Sequence, residues 1–335
     1  MKEKQKNKVL ILGGTAFVGR QLVEALMADK SMEVYLFNRG KTNSDLFPEA
    51  KRIVGDRETK DIEQLSEHHW DYVVDFSSYY PHSLQRTLDV INKDVKKYIY
   101  ISTISVYSFE HYKGDGEIDE QYPIKEYEEA QLTEPTLTYY GEKKVACEDV
   151  LEKATWLNAV VLRPCIIYGK YDPTNRFYYW LERIKKEKRI LVPADKNTKI
   201  HLSYSGDLVA IIKECLLDNI PPSTYNVTTH KAIPFVEMLN MMKSILKSNC
   251  EFELVDKDWL DKENVNIARA FPLCAINNLV FDHTKISNSL SNGFIPFEES
   301  LRTTINYYDS QGWQEIEVGL PKEQEKVLLQ KRIGK

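Results

Sequence analysis

Residues 8–26 read KVLILGGTAFVGRQLVEAL, and this stretch decides the fold. Val9-Leu10-Ile11-Leu12 is a short apolar run of the kind used by a strand buried on both faces. Gly13-Gly14-Thr15-Ala16-Phe17-Val18-Gly19 is a glycine-rich turn. Val18, Leu22, Ala25 and Leu26 then share one face at helical spacing. Glycine lets the backbone turn sharply and approach a ligand, and a helix N-terminus presents free N–H groups to an anion. Strand, glycine turn and helix in this order predict a phosphate cradle from Gly13, Thr15, Ala16, Phe17, Val18 and Gly19. A bare strand-to-helix turn is the alternative reading.

The pattern repeats downstream. Glu33–Asn38 (EVYLFN), Arg52–Gly55 (RIVG), Trp70–Phe76 (WDYVVDF), Tyr98–Ser102 and Asn158–Arg163 (NAVVLR) read as further strands. Helix-like segments fall at Ser83–Val90 and Tyr140–Lys153. Alternation of strand and helix with short connections predicts an α/β protein, a Rossmann-type doubly wound parallel sheet. Ligands of such sheets lie at the carboxyl ends of the strands. That winding would put Phe76 and Ser77 over the pyrophosphate and the nicotinamide ribose.

Composition narrows the partners. The chain has 335 residues, is 42% apolar and carries a net charge of −5, ample for a core and unfavourable for non-specific nucleic-acid binding. Five scattered cysteines without CxxC pairs fit a reducing compartment and suggest neither a disulfide framework nor a metal site. No apolar segment approaches a membrane span. The expectation is a cytoplasmic protein acting on a small molecule.

The second strand ends in Asn38-Arg39-Gly40-Lys41. An acid at this place in dinucleotide folds accepts from the adenosine ribose and repels a 2′-phosphate. Asn38 with Arg39 and Lys41 instead suits a 2′-phosphate, which a guanidinium pairs well. NADP(H) is therefore expected ahead of NAD(H), with NAD left open.

The chemistry-bearing residues follow the fifth strand, in Ser102-Thr103-Ile104-Ser105-Val106-Tyr107, and in Tyr139-Tyr140-Gly141-Glu142-Lys143-Lys144. Tyr140 and Lys144 are one helical turn apart on one face. A free tyrosine is a poor acid or base at neutral pH, and a neighbouring ammonium favours its phenolate. Lys144 could also hold ribose hydroxyls, and the Thr103 hydroxyl could orient a substrate oxygen toward Tyr140. Tyr139 and Lys143 form a second match at the same spacing.

These stretches resemble the extended or atypical short-chain dehydrogenase/reductases of the NAD-dependent epimerase/dehydratase type, including bacterial isoflavone-reductase-like members. LGGTAFVGR is similar to their GxxGxxG turn, with Ala16 at the middle glycine. LFNRGK, VGDRE, WDYVVDFSSYYP, ISTISVY, YGEKKVACE, LRPCIIYGKYDPTNRFYYWLERI, PFEESLRTTINYY and VGLPKEQEKVLL carry the likeness along nearly the whole chain. The resemblance implies a cofactor domain over residues 1–168. It implies a smaller α+β substrate domain mainly over 169–335, with segments returning to the large sheet. It assigns Asp56 to the adenine amino group, with Arg57 beside it. It favours Tyr140/Lys144 over Tyr139/Lys143, because Val145-Ala146-Cys147-Glu148 matches what trails the family's lysine. It also implies a possible homodimer. Nucleotide-sugar 4,6-dehydratases carry Thr-Asp-Glu where this chain has Thr103-Ile104-Ser105, which argues against water elimination.

The expected activity is hydride transfer between NADP(H) and a carbonyl or hydroxyl substrate, using Thr103, Tyr140 and Lys144. The alternatives are a nucleotide-sugar epimerase with tightly held NAD and a non-catalytic member that binds RNA or protein. The chloroplast stem-loop RNA-binding proteins carry a related LGGT turn. Residues 105–137 are long and acidic (Glu110, Asp115, Glu117, Asp119, Glu120, Glu128, Glu129) and read as a flap near the substrate mouth.

Overall fold

The computed structural model describes residues 6–30, 32–110, 112–114, 116–193, 198–274 and 278–334. Strand β1 (Asn7–Leu12) lies inside a parallel sheet. Val9 and Ile11 pack against one layer of helices, and Leu10 and Leu12 against the other. A strand covered on both faces has no place for polar side chains, hence its unbroken apolar run.

The chain continues through α1 (Phe17–Asp29), β2 (Met32–Asn38), β3 (Lys51–Val54), β4 (Tyr72–Asp75), α2 (Pro81–Val90) and β5 (Lys97–Ile101). It then forms α3 (Glu129–Thr133), α4 (Tyr140–Lys153) and β6 (Ala159–Pro164). Next come β7 (Ile166–Tyr168), α5 (Arg176–Lys186), β8 (Arg189–Pro193), β9 (Lys199–Ile200), β10 (Leu202–Tyr204), α6 (Ser205–Leu216) and β11 (Ser223–Val227). The described residues form a seven-stranded sheet in the order β3-β2-β1-β4-β5-β6-β11. Every pairing in it is parallel. Strand order reverses between β1 and β4, which opens a crevice at their carboxyl ends. Helices α1 and α6 cover one face, and α2 and α4 the other.

A separate core gathers Phe177, Tyr179, Trp180, Phe235, Met238 and Leu301 around α5. β12 (Ile233–Pro234) pairs antiparallel with β9 and leads into α7 (Phe235–Ile245); β13 (Glu251–Val255) pairs parallel with β8. No helix among the described residues is long and apolar enough to cross a membrane.

Element boundaries differ from the sequence reading for local reasons. The fourth strand was expected to reach Phe76 but ends at Asp75, whose carboxylate accepts the N–H groups of Ser77 and Ser78 and turns the chain. Helix α2 starts at Pro81, where a missing N–H costs nothing, rather than at Ser83. The acidic connection holds the short helix α3, and Tyr107 bridges to Ile124 within it. Phe109 from this segment reaches the crevice; Asp115 lies outside the described residues.

Candidate active site

The crevice is a cleft of about 950 Å³. Its floor is the glycine turn. Gly13 and Gly14 adopt φ of +105° and +88°, in the region that favours glycine. Gly19 stands against this turn: a Cβ there would lie 2.9 Å from the Gly14 Cα. The Gly13 N–H donates to the Phe37 carbonyl (3.1 Å), and Asn43 Nδ2 donates to the Thr15 carbonyl (2.7 Å), so β2 and the loop after it pin the turn. Helix α1 opens with Ala16 at its N-cap, with no side-chain cap and no acid in the first turn. Its free N–H groups and positive dipole end face the cleft, which fits an anionic pyrophosphate.

At the adenosine end, Asn38 Oδ1 accepts from the Gly40 N–H (3.0 Å), leaving Arg39 and Lys41 exposed at the rim. Asp56 lines the same end, with Oδ1 accepting from the Glu58 N–H (3.1 Å). Arg57 also lines the cleft, but its guanidinium is buried against Asp75, with Nη1 3.0 Å from Oδ1 and Nη2 3.2 Å from Oδ2. Burial works against that charge, and the Asp75 carboxylate more than offsets it, holding the guanidinium above its ordinary range. Spacing cannot say what a side chain meets, and this one is paired with Asp75 at the edge of the cleft while also donating to the Ser77 hydroxyl.

Phe76 and Ser77 follow β4 and line the middle of the cleft. Thr103, Tyr140 and Lys144 line the same cleft, so the residues singled out from the sequence lie along one cavity. Thr103 caps the turn after β5, its hydroxyl accepting from the Ser105 N–H (3.1 Å). Burial, aided by the nearby Tyr79, pushes the Tyr140 phenol up to about 12, against a hydrogen bond with Thr103 that pulls it down. Burial brings the Lys144 ammonium down to about 8. Lys144 Nζ donates to the carbonyls of Ser78 (2.9 Å), in the turn after β4, and Ile101 (2.8 Å), the last residue of β5. Tyr139 and Lys143 do not line the cleft; Lys143 Nζ donates to the carbonyls of Glu134 and Thr136 and clamps the loop before α4.

The far end is lined by Ser105, Phe109, Ile166, Thr174, Arg176 and Leu279. Among the described residues the carboxylates lining the cleft are Asp56 and Glu58, both at the adenosine end. Sequence reasoning missed Asp75 and Ser78, although a carboxylate closing a buried apolar strand signals a required partner. It also missed Tyr79, whose ring centroid lies 6.2 Å from that of Tyr140. Behind the site, Glu148 on α4 is held by Arg163 on β6 and by the Ser102 hydroxyl.

The family model of the NAD dependent epimerase/dehydratase family matches residues 9–228. An N-acetyl-alpha-D-glucosaminyl-diphospho-ditrans,octacis-undecaprenol 4-epimerase of Escherichia coli O157:H7 is 26% identical, across 90% of this chain and 95% of its own. A chloroplast stem-loop binding protein of 41 kDa from Arabidopsis thaliana is 28% identical across 60% of this chain and 52% of its own. The structure of a UDP-glucuronic acid 4-epimerase from Bacillus cereus, in complex with NAD, superposes with a TM-score of 0.68 at 18% identity, over 92% of this chain and all of the other. That likeness shows a shared fold.

Proposed function

The chain belongs to the NAD dependent epimerase/dehydratase family, and on that premise we propose that it is an NAD-dependent epimerase of a sugar carried on a diphosphate. The observation that carries the reading is one cleft shared by the glycine cradle and by Thr103, Tyr140 and Lys144. Similarity over nearly the full length of a diphosphosugar 4-epimerase supports the choice of epimerisation over net reduction.

The glycine turn and the uncapped start of α1 would hold the dinucleotide's pyrophosphate, and Asn38, Arg39 and Asp56 would border its adenosine. The chemistry that the bound dinucleotide would supply is acceptance of a hydride from the sugar carbon and its return to the opposite face, with a positive ring, in the oxidised form, that favours the phenolate. Tyr140 then takes the proton of the sugar hydroxyl and later returns one to the same oxygen, so a single group serves both directions. Thr103 holds that oxygen. The Lys144 ammonium stabilises the phenolate electrostatically. At the far end Phe109, Ile166 and Leu279 would give apolar surface to a sugar ring, and Ser105, Thr174 and Arg176 would offer donors to its polar groups. Ile104 and Ser105 bring no carboxyl beside Thr103, and elimination of water is not part of the proposal.

The test is incubation with NAD and UDP-N-acetylglucosamine or UDP-glucose, with proton NMR of the C4 position. Appearance of the 4-epimer, lost in Tyr140→Phe, is the expected result. A second reading rests on Arg39 and Lys41 and the missing acid at the end of β2: an NADP(H)-dependent reductase. It predicts NADP released from the denatured protein, no epimer, and carbonyl-dependent NADPH oxidation. Its preference for NADPH would disappear in Arg39→Ala.

A further inference from the structure

Asp75 is the last residue of β4 and is fully buried. Among the described residues its carboxylate accepts six hydrogen bonds, from Arg57 Nη1 and Nη2, the N–H groups of Ser77 and Ser78, the Ser78 hydroxyl and the Tyr98 hydroxyl. A buried carboxylate is tolerated only when so fully partnered, and an apolar residue in its place often stabilises a fold as well. What an apolar residue cannot do is dictate the turn that follows. Both N–H groups of residues 77 and 78 are drawn to Oδ1, at 2.9 and 3.0 Å. The Ser78 carbonyl accepts from Lys144 Nζ and from the Tyr100 hydroxyl (3.0 Å). With the Ile101 carbonyl as its second acceptor, the ammonium sits between the turn after β4 and the end of β5. A lysine has three N–H donors, so one is left for a ligand. Arg57 also donates to the Ser77 hydroxyl (3.1 Å) and to Thr87 Oγ1 (2.7 Å), tying the turn to the loop after β3 and to α2.

We infer that Asp75 is a positioning residue for Lys144: it sets the turn at residues 76–78 so that the Ser78 carbonyl seats the ammonium before any ligand arrives. Arg57 locks this seat from the adenosine end of the same cleft. The inference rests on the reading of Lys144 as the partner of Tyr140. The titratable and charged groups that act on the ammonium are Asp75 on β4, Arg57 after β3, and Cys147 and Glu148 on α4; the rings of Tyr79 and Tyr100 flank it.

The experiment is Asp75→Asn, read in two ways. The first needs neither cofactor nor substrate: limited acylation of lysines by acetic anhydride, quantified by mass spectrometry, with buried Lys143 as internal reference. Lys144 labelling should rise about tenfold relative to Lys143, because the ammonium loses its seat. The second is the pH profile of epimerisation. The limb reporting Tyr140 ionisation should move about one pH unit upward and kcat should fall about tenfold, while KM stays within about twofold. If Asp75→Asn does not fold, Ser78→Ala removes one donor but keeps the carbonyl, and it should shift both readouts in the same direction by about threefold. A folded variant with unchanged Lys144 labelling and an unchanged profile overturns the inference. Altered labelling in a protein that epimerises nothing leaves the seat standing and removes the functional reading instead.

Discussion

Two tyrosine–lysine pairs with the same spacing sit side by side in this chain, and their fates diverge. Tyr140 and Lys144 open into the cleft, whereas Lys143 is spent on two loop carbonyls. Tyr140→Phe should lower kcat by about 10²–10⁴-fold, the range of a lost general acid–base, while a calorimetric titration with NAD still shows binding. Retained turnover would take Tyr140 out of the mechanism. A second expectation concerns Glu148 and Arg163, both buried and paired behind the site. Arg163→Ala strands a buried carboxylate that also accepts from Ser102, and it should cost about 3–5 kcal/mol in denaturant unfolding. A loss below about 1 kcal/mol would mean that water reaches Glu148. Both tyrosine–lysine pairs were legible in the sequence. Spacing alone does not say which one faces the cleft, because the two are a single residue apart, but the family resemblance favoured Tyr140/Lys144, the pair that lines it.

Among elements, the unit of β1, glycine turn and α1 was readable from end to end. Its signals are local: a both-faces-buried strand, a turn that needs positive φ, and a helical stripe. Gly19 is the tightest point. A methyl group there would meet backbone atoms of Gly14, which cannot move aside as a flexible side chain would. Gly19→Ala should therefore weaken dinucleotide binding at least about tenfold and lower stability by about 1–3 kcal/mol. Unchanged affinity by calorimetry would show that the turn can open without harm to the cradle. The junction of β4 was less legible. Its Asp75 looks like a strand-end polar residue in the sequence, and its partners Arg57 and Tyr98 lie 18 and 23 residues away.

The whole molecule carries a pH dependence that belongs to no single element. His201 and His230 come from separate segments and are buried near one another and near His283. Burial, with the neighbouring histidines, pushes His201 and His230 down to about 4. Their folded pKa lies below the unfolded value near 6.5, so the unfolded chain binds more protons between about pH 6.5 and 4. Stability should fall as pH drops through that window and should not respond to these groups above it. Burial pushes the Asp207 carboxyl up to about 6 and also raises those of Asp172 and Glu325, which act in the opposite sense over part of the window, while His283, lowered by burial, acts with the two histidines. Urea unfolding at pH 5, 6 and 7 should show the loss. His201→Asn, whose Oδ1 can replace Nδ1 as acceptor for the Phe281 N–H, should flatten it. An unchanged slope in that variant would assign the loss to other groups.

The order of strands and helices, the doubly wound class and the place of the cleft were determined by the sequence alone. Hydrophobic periodicity and glycine conformations act over a few residues, and parallel crossovers admit few topologies. The tertiary structure decided three matters that depend on side chains meeting across the sheet. It paired the buried Arg57 with Asp75, it spent Lys143 on the carbonyls of Glu134 and Thr136, and it placed β11, which follows β6 by some sixty residues, at the sheet edge beside it. Contacts between residues far apart in the chain leave no periodic trace in it, and so only folding reveals them.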